Sequence, residues 1–426
     1  MSYALGLKCL KCGTSYPLQR MFEGCPKCRT DKMVSNLEID YDYDRIGNVL
    51  DKETLQRRSK ERGVWKFEEL LPVKVAQHML TLGEGNTPLV KCESLGRKVG
   101  IKNLYIKDET RNPTWSFKDR HSCTAIAKGL EFGAKVVTVS SYTNMGASTA
   151  AYAARVGLSC VVFVPSFVPE NMLTWLQVYG AKVVPVTTPE GRWALESRCV
   201  RELGWYPVST YTSPMATYNP YGVEGLKTIG YEICEQLGWK APNKIFSPTA
   251  YGGNIWATWK AFQEFEKMGL VEEKPAMISV EPEVLGPIAN AISKGLDYVE
   301  AVPWKSSSAL SIAGTTSSYQ ALKTVRESGG RAVKATDDEL VDMQKLLASL
   351  EGIYGEVASV ASIVGAKKLR EKGEVQEDET VVCIVTSTGL KSLETTRKSL
   401  PGLFSAIEPN WSTFSNLMKQ RYDMAL

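Results

Sequence analysis

Histidine is almost missing from this chain: 426 residues contain two, His78 and His121. A hydrolase built on a Ser–His or Cys–His pair would have to use one of them, and no motif places either to act on a nucleophile. Long apolar runs are missing as well. No stretch of 18 residues is apolar enough to span a bilayer, and the apolar part of Met1 to Cys9 is too short for a signal peptide. Charge of one sign is also lacking. The 51 Lys and Arg against 47 Asp and Glu leave +4, with no basic run to suit nucleic acid or a membrane surface. No internal repeat or low-complexity tract occurs. These absences point to a cytoplasmic protein whose partner is a small molecule, with no nucleic acid and no membrane.

What remains is an ordinary globular composition, 43% hydrophobic and 23% charged, in a chain longer than one core usually covers. Of its ten cysteines, Cys92, Cys123, Cys160, Cys199, Cys234 and Cys383 are isolated, mostly in apolar segments, and read as reduced small hydrophobes. Cys9, Cys12, Cys25 and Cys28 form two Cys-x-x-Cys pairs twelve residues apart. Four thiolates at that spacing can close a tetrahedral, structural zinc site, which folds a segment too small to bury a core. Such a site has no open position for catalysis. A redox Cys-x-x-Cys would need one pair at a strand–helix junction.

Residues 45–80 are charged, helix-compatible and read as a connector. From Leu82 onward, short Val- and Ile-rich segments alternate with amphipathic ones. Strands are expected at Leu104–Lys107, Val136–Ser140, Ser159–Val164, Lys182–Val186, Lys244–Phe246, Ala276–Val280 and Val381–Val385, after a strand-like Met33–Tyr41. Helices are expected at Phe117–Phe132, Ala147–Val156, Pro169–Tyr179, Gly225–Leu237, Ile255–Lys267, Asp337–Glu351 and Ser359–Glu371. That alternation is α/β architecture with mostly parallel sheets, whose ligands bind where strands lead into helices.

Four loops stand at such places. Asn112 to Arg120 puts Lys118 in the first turn of a helix, where the helix field would lower its pKa and help the amine attack an aldehyde. Ser140 to Ser148 offers hydroxyls, the amide of Asn144 and free N–H groups to a carboxylate or a phenolic oxygen. Thr249-Ala250-Tyr251-Gly252-Gly253-Asn254 carries two glycines before a helix, which lets backbone N–H groups wrap a phosphate. Val385 to Lys391 places Thr386 at a strand end. A threonine hydroxyl can bond a neutral pyridine nitrogen, where a carboxylate would hold the ring protonated. Together these are the parts of a pyridoxal phosphate (PLP) site tuned to elimination and replacement, away from transamination.

Collinear motifs then identify a family. Gly83-Glu84-Gly85-Asn86-Thr87-Pro88-Leu89, Asn112 to Arg120, Ala150 to Arg155, Asn219-Pro220-Tyr221 with Glu224-Gly225 and Lys227-Thr228, and Thr386 to Lys391 resemble threonine synthases, as does the four-cysteine ribbon. The resemblance covers nearly the whole chain. It implies a fold type II PLP enzyme with two open, mostly parallel sheet domains and a zinc-ribbon-like segment, assembled as a homodimer. It implies divisions at 1–44 (ribbon), 45–110 (connector and start of the large domain), 111–225 (small domain) and 226–426 (large domain). It makes Lys118 the lysine that binds the cofactor, Asn144 the partner of its 3′-oxygen, Ala250 to Asn254 the phosphate loop and Thr386 the partner of its pyridine nitrogen. Ser141 and Thr143 would meet the substrate carboxylate.

The chain departs from the family at Met145, Gly222 and Tyr251, where a threonine, an arginine and an asparagine usually hold the phosphate of O-phosphohomoserine, and near Ser311, where another arginine is replaced. Each lost charge-assisted bond is worth about 1.5–3 kcal/mol. The expectation is a carbon–oxygen lyase or replacement enzyme of amino-acid metabolism that keeps the cofactor chemistry and takes an amino-acid substrate without the phosphate. Threonine synthase itself, a hydroxy amino acid dehydratase, a cysteate-synthase-like enzyme and a non-catalytic PLP-binding protein are the alternatives.

Overall fold

The computed structural model describes residues 2–215 and 218–424. The chain divides into two units, Met1–Lys391 and Ser392–Leu426. The second contains the helix Trp411–Tyr422, whose first turn is capped by the Asn410 side chain accepting from the Thr413 N–H.

The described residues of the first unit hold thirteen strands in three sheets. Strands β1 (Ala4–Cys9), β2 (Ser15–Tyr16) and β3 (Leu37–Tyr41) form an antiparallel sheet in the order β2-β1-β3. A six-stranded sheet follows from β4 (Leu89–Lys91), β5 (Asn103–Asp108), β10 (Lys244–Pro248), β11 (Ala276–Pro282), β12 (Ala332–Ala335) and β13 (Thr380–Val385), in the order β12-β11-β10-β13-β5-β4. Every pairing in it is parallel except that of edge strand β4 with β5. The third sheet, β8-β7-β6-β9, is wholly parallel and uses β6 (Val136–Ser140), β7 (Ser159–Pro165), β8 (Lys182–Val186) and β9 (Tyr206–Pro207). The central strands β10 and β13 are buried almost throughout, as parallel strands covered by helices on both faces must be.

All seven strands expected beyond Leu82 are present, with two open parallel sheets. The strand expected from Met33 begins only at Leu37, because the preceding segment turns between the second cysteine pair and β3. The connector forms only short helices, Tyr43–Gly47, Lys52–Arg57 and 3-10 turns. Five helices build the site: α1 (Lys118–Glu131), α2 (Asn144–Arg155), α3 (Pro189–Leu203), α4 (Lys227–Gln236) and α5 (Gly253–Lys267).

Helix α1 is fixed by charge. Arg120 is fully buried and donates to Glu109 at 2.7 and 2.8 Å and to Glu232 of α4 at 2.6 and 2.8 Å. Lys107 of β5 adds a second bond to Glu232 at 2.7 Å. The Gly83–Leu89 motif closes the cluster: the Asn86 N–H donates to Glu232 and the Thr87 hydroxyl to Glu109, each at 2.6 Å. Burial pushes Glu232 up, but Arg120 and Lys107 beside it overcome this and hold it at about 2. Removing one member of such a cluster leaves an uncompensated buried charge.

Arg120→Met should therefore lower the unfolding free energy by on the order of 3–5 kcal/mol in denaturant titrations. The folded-state pKa of Glu232 lies below its ordinary 4.5, so its share of stability is present above that value and is lost as the pH falls toward 2. The gap between the two proteins should narrow over that acid range.

Candidate active site

The loop before α1 is tied down before Lys118 is reached. The Thr114 N–H and hydroxyl each donate to the Asp119 carboxylate at 2.6 Å, and the Phe117 N–H donates to the Thr386 carbonyl at 3.0 Å. Lys118 is the first residue of α1 and faces a cavity. Its Nζ lies 2.8 Å from the Tyr218 hydroxyl, with no acid group bonded to it. Burial in this setting pushes its pKa down to about 7. Where the helix field was expected to lower it, enclosure by protein is the cause.

Every cofactor- and substrate-site residue expected from the sequence borders this cavity: Lys118, Ser141, Thr143, Asn144, Met145, Ala250, Tyr251, Gly252, Gly253, Asn254 and Thr386. Gly222 does not. A side chain there would collide with the His121 ring at 2.6 Å and with Ala125 at 2.8 Å. His121 itself is buried with Nε2 on the Val208 carbonyl at 2.7 Å, and burial holds its pKa down at about 3. It is a core histidine.

At one end of the cavity Gly252, with φ +82, turns the chain into α5. The N–H groups of the first helical turn have no intrahelical acceptor there. A Cβ on Gly253 would stand 2.3 Å from the Tyr218 ring, so only glycine keeps this approach open. At the other side Asn144 opens α2. Its Oδ1 accepts from Lys391 Nζ at 2.6 Å and Ser387 at 3.2 Å, while Nδ2 donates to Glu356 at 3.0 Å. Ser311 donates to the same carboxylate at 2.6 Å. Thr386 pairs with the Ser359 hydroxyl at 2.9 Å. Ser141 accepts the Gly146 N–H at 2.9 Å and so caps the loop it belongs to.

Tyr218, Arg192, Glu356 and Ser359 were not singled out from the sequence. Arg192 had no helix to place it, because Pro189 and Gly191 open α3 where a loop would also begin. The signal was the Thr188 side chain, which accepts from the Gly191 N–H as an N-cap. Arg192 borders the cavity with its guanidinium 4.9 Å from the Tyr142 ring centre, and its Nε has no hydrogen-bond partner.

Residues 80–387 match the model of the family described as pyridoxal-phosphate dependent enzyme. A threonine synthase of Methanocaldococcus jannaschii is 39% identical over 90% of this chain and 92% of its own length. That of Methanosarcina acetivorans is 38% identical over 91% and 93%. The chain belongs to the threonine synthase family of PLP-dependent enzymes. It is thus a PLP-dependent lyase of the carbon–oxygen class. The fold also matches threonine deaminase isoform 2 from Solanum lycopersicum (TM-score 0.63, 20% identity, 73% of this chain and 87% of that one). Diaminopropionate ammonia lyase from Escherichia coli matches with TM-score 0.65 at 16% identity, over 78% and 95%.

The residues present fit PLP. The glycine cradle at the α5 N-terminus suits an anion, Lys118 is held near neutrality, and no Asp or Glu is among the described residues that border the cavity. The cysteine cluster fits a metal equally well. All four Sγ atoms lie within 4.8 Å of one another, with Cys9–Cys28 at 3.7 Å and Cys12–Cys25 at 3.8 Å. Four sulfurs at ~2.3 Å from a tetrahedral zinc would be ~3.8 Å apart. No helix among the described residues is long and apolar enough to cross a membrane.

Lys118→Ala should lose the visible absorbance of protein-bound cofactor together with turnover, measured by spectrophotometry and activity assay. Zinc analysis of the purified protein should give one equivalent per chain, and Cys25→Ser should lower both this content and the thermal midpoint.

Proposed function

We propose that this chain catalyses elimination or replacement on an amino acid whose side chain carries no phosphate, with PLP held by Lys118. The observation that carries the reading is the cavity wall itself. Lys118 Nζ, the α5 N-terminus, Asn144 and Thr386 converge on one space, and Met145 and Tyr251 line it where phosphate-binding side chains would be needed.

In this reading Gly252, Gly253 and Asn254 would hold the cofactor phosphate, Asn144 its phenolic oxygen and Thr386 its ring nitrogen. When bound, PLP supplies an electron sink for charge developing at the substrate α-carbon. Once the substrate amine has replaced it, Lys118 is a neutral amine poised to take the α-proton, a role that a pKa near the operating pH serves best. Ser141 and Thr143 would receive the substrate carboxylate at the start of α2. The Thr386–Ser359 hydroxyl pair offers no negative charge to a ring nitrogen, in keeping with elimination or replacement. The cysteine ribbon would hold structural zinc away from this chemistry.

A second reading has one observation in its favour. Arg192 provides a guanidinium at the cavity with an unbonded Nε, which could serve the phosphate of O-phosphohomoserine in place of the family's lost arginine. The two readings separate in one assay. The purified protein should form a 2-oxo acid from L-serine or L-threonine and release little phosphate from O-phosphohomoserine. Robust phosphate release with threonine formation would overturn the first reading in favour of the second.

A further inference from the structure

Tyr218 lies outside every motif that marks the cofactor site, yet its hydroxyl is the hydrogen-bond partner of Lys118 Nζ, at 2.8 Å. Among the described residues Lys118 is its one hydrogen-bond partner. The side chain is buried, with 8% of its surface exposed, and it borders the cavity. Its position is not incidental to the packing. Its backbone adopts φ +40, a left-handed conformation that bulky aromatic residues rarely take and that clusters at functional sites. The ring occupies the space left by the missing Cβ of Gly253, so the phenol is wedged between the reacting lysine and the anion-binding turn. The second cavity phenol, Tyr251, sits with its ring centre 6.5 Å from that of Tyr218 and makes no bond to Lys118.

We propose that Tyr218 is the proton donor to the oxygen that leaves the substrate, and that the substrate is accordingly a β-hydroxy amino acid. The inference rests on the PLP-dependent elimination proposed above and extends it. A departing phosphate is stable as an anion and needs no acid; a departing hydroxide does. The phenol meets that need, and the proton it gives is restored from Lys118 beside it.

The α-carbon–hydrogen bond breaks and its proton goes to Lys118 Nζ, while its electron pair forms the new bond between Cα and Cβ. The Cβ–oxygen bond breaks with its pair on oxygen, which takes the Tyr218 hydroxyl proton and leaves as water. Lys118 passes its extra proton back to the Tyr218 oxygen across the 2.8 Å contact. Both residues end as they began; the enamine then takes up water as it leaves, giving the 2-oxo acid and ammonia, and no oxidant or reductant is consumed.

The test compares wild type, Tyr218→Phe and Tyr218→Leu on L-serine and on β-chloro-L-alanine, whose chloride leaves unassisted, following pyruvate and the visible absorbance of bound cofactor. Tyr218→Phe should keep the absorbance and turn over β-chloro-L-alanine within about threefold of wild type, but lose on the order of 10²-fold or more on L-serine. Tyr218→Leu should show the same selectivity. Equal losses on both substrates, no loss on L-serine, a defect confined to the leucine variant, or loss of the absorbance in both variants would each overturn the proposal. So would a wild-type protein that eliminates chloride but not hydroxide, which leaves the cofactor reading standing. A wild-type protein with no cofactor absorbance and no pyruvate from either compound would instead remove that reading, and the proposal with it.

Discussion

The position of Lys118 depends on a guanidinium two residues further along the same helix. Arg120 is sealed from water between Glu109 and Glu232, and through them it joins β5, α4 and the Gly83–Leu89 segment to the start of α1. Elsewhere in the molecule buried lysines obey the same rule of compensation. Lys66 has Glu235, Lys107 has Glu232, Lys128 has Glu131, Lys227 has Glu264 and Lys260 has Glu224. Lys118 has a phenol instead. A buried amine without a carboxylate gives up its proton readily, which is the state a nucleophile needs. The structure thus places its strongest charge pairing next to its least compensated amine.

Much of this was legible in the sequence, for a physical reason. Buried parallel strands are runs of Val and Ile, so β6 and β8 are found with the expected bounds, and the loops that follow such strands carry the site. The short strands β4, β9 and β12 were not expected. Two to four residues of edge pairing leave no periodic pattern, and β9 includes a proline. Helix α3 was missed because its first turn, Pro189-Glu190-Gly191, reads equally as a loop. Arg192, lost with it, borders the cavity. Tyr218 left no signal at all: its importance comes from a hydroxyl that meets Lys118 across a hundred residues of sequence.

The substrate end of the cavity shows why a motif comparison alone misplaces charge. Gly222 reads as a lost arginine, yet in this fold the position faces His121 and Ala125, not the cavity. The arginine that does border the cavity comes from α3. One turn further along that helix is Glu196, fully buried. Burial pushes its pKa up to about 8, with Ser140 and Arg192 among the groups that oppose the rise. The guanidinium keeps its charge for whatever anion enters, substrate carboxylate included.

Asn144 carries the same logic to the cofactor side. Lys391 and Ser387 both donate to its Oδ1, which fixes the amide's orientation and leaves Nδ2 as its donor. One Nδ2 hydrogen goes to Glu356, whose other oxygen is held by Ser311. The second Nδ2 hydrogen is then the group available to a phenolic oxygen. An asparagine at a helix start can rotate freely; one with both ends held presents a single donor in a single direction. The loops that look interchangeable in sequence, rich in Ser, Thr, Asn and Gly, acquire a defined chemistry because Lys391 and Glu356 arrive from distant segments to orient them.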